Sequence, residues 1–266
     1  MIIDGKAIAG EILEETKRIA IALPDVPSFA AIAVAPSPAT ESYLRIKRRL
    51  AEDAGIHMEV RTPDEGSTTE DLIALIERDT HDALIVQLPL PAHIDQEAVL
   101  AAIPVEKDAD VLATATRERG VLMHPIAGAI NEIWLRTNVT PEGKDVVVIG
   151  SGWLVGQPVT AWLTKRGVSV TVVTKDSGDI SDACRTADII ISGTGVSGLV
   201  TRSMVKEGVV VIDVGTSELG GSIAGDVAPD VADVASVFTP VPGGVGPIAV
   251  AYLMKNVVEL ARLRRS

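Results

Sequence analysis

Apolar residues recur along this chain with two spacings, one typical of amphipathic helices and the other of short buried strands. The first half predicts, in order, a helix at residues 7–23, a strand at 28–34, helices at 38–54 and 71–78, and a strand at 83–87. Ser37 followed by Pro38 is typical of a helix start, with serine as the N-cap and proline at the first helical position. Alternating helices and strands predict an α/β fold.

The same alternation continues through the second half. It predicts strands at 145–149, 168–174, 189–192 and 209–214, helices at 158–166 and 180–186, and a final amphipathic helix at 248–263. Strands joined by short crossovers predict a Rossmann-like, doubly wound parallel sheet. The pattern breaks at residues 137–144, where proline and glycine interrupt it. We therefore predict two α/β domains, 1–137 and 138–247, with residues 248–266 returning to pack on the first.

Composition argues against several classes of partner. A formal net charge of −12, with only three Trp, two Tyr and two Phe, argues against nucleic acid, whose binding relies on positive charge and aromatic stacking. The apolar runs are too short to span a membrane and the amino terminus has no secretory pattern, so we expect a cytoplasmic protein with no membrane partner. One cysteine, Cys184, excludes an intrachain disulfide framework. The four histidines lack metal-ligand spacing, so no metal is expected.

Three glycines between a predicted strand and a predicted helix form the clearest turn in the chain. Gly150, Gly152 and Gly156 give a Gly-x-Gly-x-x-x-Gly pattern, with Pro158 predicted at the first position of the helix. Such a turn lets backbone N–H groups approach a pyrophosphate at the helix amino terminus, which favours dinucleotide binding. The alternative is a tight turn that serves only helix–sheet packing.

A second segment rich in glycine and proline lies before the final helix. Residues 240–247 hold three prolines and three glycines, among them Pro242, Gly243 and Gly244. Proline fixes φ and glycine permits close backbone approach, so we interpret the segment as a rigid wall against a flat ligand. The alternative is an ordinary strand-to-helix connection.

Tyr43 and Lys47 are four residues apart on the predicted helix 38–54, so both side chains project from one face. A lysine that is partly desolvated beside a phenol ring loses pKa and can move protons near neutrality. Taken alone, this spacing is common, and a solvated surface lysine is the stronger interpretation.

Several segments together resemble the bifunctional methylenetetrahydrofolate dehydrogenase/methenyltetrahydrofolate cyclohydrolase family. They are the wall at 240–247, the Val-Gln-Leu-Pro-Leu-Pro run at 86–91, the Tyr-x-x-x-Lys segment after residues 36–39, the run 104–110, the glycine turn, and the segments 209–215 and 225–227. The resemblance extends over nearly the whole chain. It implies an enzyme of one-carbon metabolism that oxidises 5,10-methylenetetrahydrofolate with a nicotinamide nucleotide and hydrolyses the methenyl product to 10-formyltetrahydrofolate, both in one cleft.

The resemblance also implies the roles of single residues. Lys47 manages protons around the attacking water, Gln87 orients Lys47, Asp110 holds the pterin and Tyr43 stacks on it. Pro242, Gly243 and Gly244 line the folate side. Two positions depart from the family pattern: Val111 replaces the usual glycine, where a branched side chain crowds the ligand or resists a positive φ, and His124 stands where threonine is usual.

Cofactor choice rests on the glycine turn and on the end of the next strand. The resemblance implies NADP, held by residues of these two segments: Gly150, Ser151, Gly152, Val155, Gly156, Thr174, Lys175 and Asp176. Ser151 and Gly152, however, replace the family's arginine and serine, which help to hold the 2′-phosphate. Lys175 can meet a phosphate, whereas Asp176 can accept a hydrogen bond from a free ribose hydroxyl, so NAD is the alternative.

Two alternative functions stay open. One is a dehydrogenase with little cyclohydrolase activity, suggested by Val111 beside Asp110. The other is a noncatalytic folate- or nucleotide-binding protein whose turn has diverged. The presence of Tyr43, Lys47, Gln87 and Asp110 argues against it. A homodimer is the family expectation.

Overall fold

A computed structural model describes residues 1–219 and 222–265. The helices are α1 Gly5–Ile21, α2 Pro38–Asp53, α3 Thr69–Glu77, α4 Gln96–Ala101, α5 Thr114–Arg119, α6 Pro125–Thr137, α7 Gly156–Lys165, α8 Ser181–Thr186 and α9 Val245–Arg265. The strands are β1 Ser28–Ile32, β2 His57–Arg61, β3 Ala83–Val86, β4 Val146–Ile149, β5 Val170–Val173, β6 Ile189–Ser192, β7 Val210–Asp213, β8 Ser217–Leu219, β9 Ser222–Ala224 and β10 Val237–Phe238.

The chain forms two compact units, and each unit is assembled from two separate segments. Met1–Ala9 and Ile126–Ala249 form the first, which we call the glycine-turn unit. Gly10–Pro125 and Val250–Ser266 form the second, which we call the lysine unit. Residues 1–9 and nearly all of α6 therefore group with the glycine turn, although the sequence analysis placed both segments in the first domain.

The lysine unit is built on a three-stranded parallel sheet of order β2-β1-β3. Phe29 and Ala31 of β1 and Ile85 of β3 belong to its buried core. Helix α9 supplies further members of the same core: Val250, Leu253, Met254, Val257, Val258 and Leu260. The predicted return of the C-terminal helix to the first half is therefore confirmed.

The start of α2 follows the predicted capping pattern. The Ser37 hydroxyl accepts a hydrogen bond from the Thr40 backbone N–H at 3.2 Å, and Pro38 is the first helical residue. Leu44, Lys47 and Ala51 form the buried stripe of this helix. A charged residue thus lies on a face that otherwise packs against the core.

The glycine-turn unit contains a five-stranded parallel sheet of order β10-β7-β6-β4-β5. Its first strand in the chain, β4, lies inside the sheet; β5 pairs on one side of it and β6 on the other. The Rossmann-like, doubly wound arrangement predicted from the sequence is confirmed. Strands β8 and β9 form a separate antiparallel pair.

The first residues of the chain extend this sheet beyond its β10 edge. Ile2 bridges Phe238 in parallel orientation, the Ile3 backbone N–H donates to Phe238 O at 2.9 Å, and the Phe238 N–H donates to Met1 O at 2.9 Å. An edge strand carries unpaired backbone groups, and here residues 1–3 satisfy them. This pairing explains why residues 1–9 belong to the glycine-turn unit.

None of the helices in the described residues is both long and apolar enough to cross a membrane.

Candidate active site

Tyr43 and Lys47 form a contact pair on α2. Lys47 is 6% exposed, and its Nζ lies 5.1 Å from the centroid of the Tyr43 ring. Tyr43 retains 40% of its surface exposed. The pair therefore combines a buried ammonium group with a ring that is open to a ligand.

Gln87 fixes the position of the lysine. It follows β3 directly, and its Oε1 accepts a hydrogen bond from Lys47 Nζ at 3.0 Å. Its Nε2 donates to the backbone oxygen of Leu88 at 2.9 Å, which turns the amide so that the oxygen faces the ammonium group. Gln87 thus holds Lys47 Nζ through a hydrogen bond.

Asp110 reaches the same edge of the sheet because the preceding residues run beside β3. The Leu84 N–H donates to Lys107 O at 2.7 Å, and the Ala109 N–H donates to Leu84 O at 3.4 Å. Gln87 and Asp110 therefore follow two adjacent parallel segments, and the carboxyl edge of the sheet brings them together.

The charges of Lys47 and Asp110 influence each other's pKa, and Asp110 also influences that of Tyr43. Burial lowers the pKa of Lys47, and the negative charge of Asp110 opposes that shift. Burial likewise raises the pKa of Asp110, opposed by Lys47. Loss of hydration, followed by the charge of Asp110, raises the pKa of Tyr43 to about 12. Burial thus favours the neutral amine of Lys47, whereas the phenol of Tyr43 keeps its proton.

Val111 adopts the backbone conformation that a glycine would adopt easily. It has φ of 56° and is buried. A β-branched residue in this region is a rare, strained conformation. The Asp108 carboxylate holds the turn, because it accepts hydrogen bonds from the backbone N–H groups of Leu112 at 3.4 Å and Ala113 at 2.9 Å. The turn therefore forms in spite of the substitution, and Val111 does not resist the positive φ.

Asn256 of α9 supports the segment that carries Asp110, and the sequence analysis did not identify it. Its Nδ2 donates to the backbone oxygens of Ala109 and Met123, both at 2.9 Å, and the residue is buried. The available signal was a polar amide on the apolar face of the predicted helix 248–263. Such a residue, once buried, needs partners.

His124, the other departure from the family pattern, is buried in the lysine unit. Burial, and next the charge of Arg117, lowers its pKa to about 3. The imidazole is therefore neutral in the folded protein at physiological pH.

The glycine turn joins β4 to α7, and its backbone is closely packed. Gly150 has φ of 99°, and a Cβ on Gly156 would lie 2.1 Å from Gly150 O, so no other residue fits there. Val155 is the N-cap of α7 and offers no side-chain cap. The Gln157 N–H donates to Gly152 O at 3.0 Å, which folds the first residues of α7 back onto the turn. Pro158 is the third residue of α7; the prediction that it begins the helix was wrong, because Gly156 and Gln157 already have helical conformation.

The other predicted dinucleotide residues lie next to this turn. Ser151 and Gly152 are exposed, and a Cβ on Gly152 would meet nothing within 4 Å. The Gly150 N–H donates to Val173 O at 2.8 Å, which ties the turn to the end of β5. There Thr174 caps a single helical turn, Lys175–Ser177, by accepting from the Asp176 N–H at 3.3 Å. Lys175 and Asp176 are both exposed at this edge.

The proline- and glycine-rich wall packs against the start of α1. The Gly5 N–H donates to Gly243 O at 2.9 Å, and a Cβ on Gly5 would lie only 1.8 Å from Gly244 O. The Gly244 N–H in turn donates to Pro240 O at 2.7 Å. A cavity of about 320 Å³ adjoins the wall and is lined by Ile2, Ile3, Asp4, Lys6, Pro240, Pro242 and Gly243. The wall is therefore held in place backbone to backbone.

Among the described residues, no three His, Cys, Asp or Glu side chains are grouped to bind a metal ion.

Two family models match this chain. The catalytic domain of tetrahydrofolate dehydrogenase/cyclohydrolase matches residues 3–110, and the NAD(P)-binding domain of the same family matches residues 125–265. The chain belongs to the tetrahydrofolate dehydrogenase/cyclohydrolase family. The resemblance stated from the sequence is thereby confirmed.

Relatives of known sequence or structure agree with this assignment. The bifunctional protein FolD of Moorella thermoacetica is 38% identical and aligns over 98% of each chain. A crystal structure of the FolD dehydrogenase/cyclohydrolase from Campylobacter jejuni has a TM-score of 0.94 at 34% identity, over 99% of each chain. The Trypanosoma brucei enzyme, solved with NADP and an inhibitor, has a TM-score of 0.91 at 35% identity over 100% of this chain and 99% of that one. The tetrahydrofolate dehydrogenase/cyclohydrolase family thus accounts for both units.

Proposed function

We propose that this protein oxidises 5,10-methylenetetrahydrofolate to the 5,10-methenyl form with NADP and then hydrolyses that product to 10-formyltetrahydrofolate. The observation that carries the proposal is the buried contact between Lys47 Nζ and Gln87 Oε1 at 3.0 Å, within the electrostatic influence of Asp110. A buried lysine held by an uncharged amide is placed for proton transfer, because a fully charged ion pair would keep its proton.

In the hydrolytic step, Lys47 serves as the proton carrier. Its neutral amine takes a proton from water as the water oxygen bonds to the methenyl carbon. The hydroxyl group on that carbon then loses its proton as the ring carbon–nitrogen bond breaks, so that the formyl C=O forms, and the leaving nitrogen receives a proton. Gln87 keeps Nζ directed at the water throughout, because its own amide is fixed by Leu88 O. Asp110 accepts hydrogen bonds from the aminopyrimidine edge of the pterin, and the Tyr43 ring stacks on it.

In the oxidative step, the protein's task is to hold and orient the reactants. The exposed backbone of the glycine turn suits a pyrophosphate, because Ser151 and Gly152 leave open space for its close approach. The chemistry that NADP supplies when bound is acceptance of a hydride from the folate methylene. On the folate side, Pro242, Gly243 and Gly244 form the flat wall.

NADP is favoured over NAD by the family and by one basic residue. The Trypanosoma brucei relative was solved with NADP. In this chain Lys175 is exposed beside the glycine turn and supplies a positive charge for a 2′-phosphate. The neighbouring Asp176 keeps NAD as the alternative, because a carboxylate there repels the phosphate. A homodimer and a cytoplasmic location belong to the same proposal and rest on the resemblance to the family.

The test is a coupled assay with the purified protein. Methylenetetrahydrofolate is supplied with NADP or, separately, with NAD, while reduced nicotinamide and the methenyl intermediate are followed in one trace. We expect reduced nicotinamide with NADP and no accumulation of the intermediate.

Each other result points to a defined alternative. Accumulation of the methenyl product would indicate a dehydrogenase that has lost hydrolysis, as Val111 beside Asp110 suggests. A reaction that is faster with NAD than with NADP would indicate that NAD is the cofactor and that Asp176 determines this preference. No reaction with either nucleotide would contradict the proposal and leave a noncatalytic binding protein.

A further inference from the structure

The strand order of the glycine-turn unit identifies the loops that border its ligand site. In an open parallel sheet, ligands bind at the carboxyl edge where the strand order reverses. Here β4 lies between β5 and β6, so the reversal falls between β4 and β6. The loop after β4 is the glycine turn. The loop after β6, residues 193–196, is therefore the opposite border, and the inference below rests on the proposed dinucleotide function of this site.

Residues 193–196 pack directly on the glycine turn. The Gly193 N–H donates to Ile149 O at 3.0 Å, and a Cβ on Gly193 would lie 2.4 Å from Val155 Cγ1. The backbone of this loop and the N-cap residue of α7 are thus in close contact. A displacement of the loop would change the shape of the site without any change in the glycine turn itself.

One buried carboxylate, Asp226, organises the loop. Its Oδ2 accepts hydrogen bonds from Ser192 Oγ at 2.7 Å, Thr194 N at 2.6 Å and Thr194 Oγ1 at 2.9 Å. Its Oδ1 accepts from Val196 N at 3.0 Å. Four donors from a five-residue stretch therefore converge on one side chain that is 0% exposed.

A second buried carboxylate, Asp213 at the end of β7, holds the backbone around Asp226. Its Oδ1 accepts from Asp226 N at 3.2 Å, and its Oδ2 accepts from Val227 N at 2.9 Å. Asp213 of β7 thus holds the backbone of Asp226 by hydrogen bonds, and Asp226 in turn holds the loop after β6.

We propose that Asp226 is a positioning residue for the dinucleotide site, and that it acts by holding residues 193–196 against the glycine turn. Asp226 touches neither reactant, and hydrolysis of the methenyl compound needs no dinucleotide. Its loss should therefore weaken dinucleotide binding and dehydrogenation while hydrolysis of supplied methenyltetrahydrofolate continues.

Replacement by asparagine tests this role sharply. Each carboxylate oxygen accepts from a backbone N–H, that of Thr194 on one oxygen and that of Val196 on the other. A backbone N–H cannot become an acceptor, so the asparagine NH2 opposes a donor in either orientation of the amide. The Asp226→Asn variant keeps the shape of the side chain and loses the organisation of the loop.

Asp188 provides a matched control in the same unit. It precedes β6, at the amino edge of the sheet, and its Oδ2 accepts from Asp145 N at 3.0 Å while its Oδ1 accepts from Lys206 Nζ at 2.7 Å. The Asp188→Asn variant also sets an NH2 group against a donor, but at a partly exposed site away from the carboxyl edge.

The experiment measures three quantities in the full-length protein and both variants: the Kd for NADPH, the rate of methenyltetrahydrofolate hydrolysis and the denaturation midpoint. Trp153 in the glycine turn is an intrinsic fluorescence donor for bound NADPH. We expect Asp226→Asn to raise the Kd about tenfold with hydrolysis retained, and Asp188→Asn to lower the midpoint without changing the Kd.

An unchanged Kd in Asp226→Asn, or a parallel fall in binding and hydrolysis, overturns the inference. Should Asp226→Asn fail to fold, Thr194→Val replaces it: it removes one hydrogen bond to the carboxylate and should raise the Kd by a smaller factor, and an unchanged Kd then overturns the inference. Wild-type protein that binds neither NADPH nor NADH contradicts the proposed function itself, which separates the two failures.

Discussion

The two units both place a candidate site at the carboxyl edge of a parallel sheet, but they build it from different groups. In the lysine unit the edge gathers side chains that can carry protons and charge: Tyr43, Lys47, Gln87 and Asp110. In the glycine-turn unit the edge presents mainly backbone, supported from behind by Asp213 and Asp226. A change in the lysine unit should therefore remove a chemical step, whereas a change in the glycine-turn unit should alter affinity or shape.

The largest expected effect is the loss of hydrolysis in Lys47→Met. Methionine keeps much of the buried length of lysine but cannot carry a proton, so the hydrolytic rate should fall about 100-fold or more, within the usual range for general acid–base catalysis. The measurement is the disappearance of supplied methenyltetrahydrofolate.

Lys255→Met is the matched control for this change. Lys255 Nζ also lies over a tyrosine ring, 5.0 Å from the centroid of Tyr252, but Lys255 is exposed. Hydrolysis should continue in this variant. Equal losses in both variants would show that a lysine–tyrosine contact matters only for stability.

The next effect compares two glycines of α1. A methyl group on Gly5 would collide with Gly244 O, so Gly5→Ala should displace the wall and lower the free energy of unfolding by about 1–3 kcal/mol. A methyl group on Gly10 would meet nothing within 4 Å, so Gly10→Ala should raise it by about 0.5–1 kcal/mol. Urea denaturation gives both values.

The same pair of variants also tests the wall as part of the folate site. Gly5→Ala should raise the KM for methylenetetrahydrofolate, and Gly10→Ala should not. A destabilised Gly5→Ala protein with normal KM would show that the segment 240–247 only connects β10 to α9 and is not part of the folate site.

A third effect depends on pH and belongs to the lysine unit. His124 has a pKa of about 3 in the folded protein, against roughly 6.5 in the unfolded chain. As the pH falls below that higher value, the unfolded chain binds a proton that the folded protein does not, so stability is lost toward the folded pKa. One such group contributes about 1.4 kcal/mol per pH unit in this window.

His124→Asn should remove that contribution. The free energy of unfolding, measured by urea denaturation between neutral and mildly acidic pH, should fall less steeply in the variant than in the wild type. Identical slopes would mean that His124 is already protonated in the folded protein.

The smallest effect should come from Asn256→Leu. Leucine fills a similar volume but leaves the carbonyl groups of Ala109 and Met123 without their donor. A loss of about 1 kcal/mol or more in unfolding free energy is expected, together with a higher KM for the folate because Asp110 follows Ala109. A normal KM would show that Asp108 alone is enough to hold that segment.

The sequence predicted the elements whose apolar pattern is strong. The buried strands β1, β3, β4, β6 and β7 and the helix α2 were located to within a few residues, because the interior of each unit requires a continuous apolar run or stripe. Strand β2, in contrast, was missed. Its residues His57–Arg61 are partly exposed at the edge of their sheet, and only Met58 is buried.

Short-range reasoning also found part of each candidate site. The spacing of Tyr43 and Lys47 placed them on one face of a helix, and the glycine turn was visible from its position between a strand and a helix. The support behind these groups was not visible. Asp226 contacts Ser192 from 34 positions away, and Asn256 contacts Ala109 from 147 positions away; such contacts depend on the packed fold and leave no local pattern.

The division of each unit between two distant segments has a consequence for biosynthesis. The glycine-turn unit needs Met1–Ala9 together with residues 126–249, and the lysine unit needs residues 10–125 together with the later part of α9. Neither unit can complete its core until its second segment has been synthesised, whereas a domain made of one continuous segment can fold once that segment has emerged. Nascent chains of this protein must therefore keep apolar surface exposed while the intervening residues are made, and folding in the cell should depend on chaperones more strongly than the size of either unit suggests.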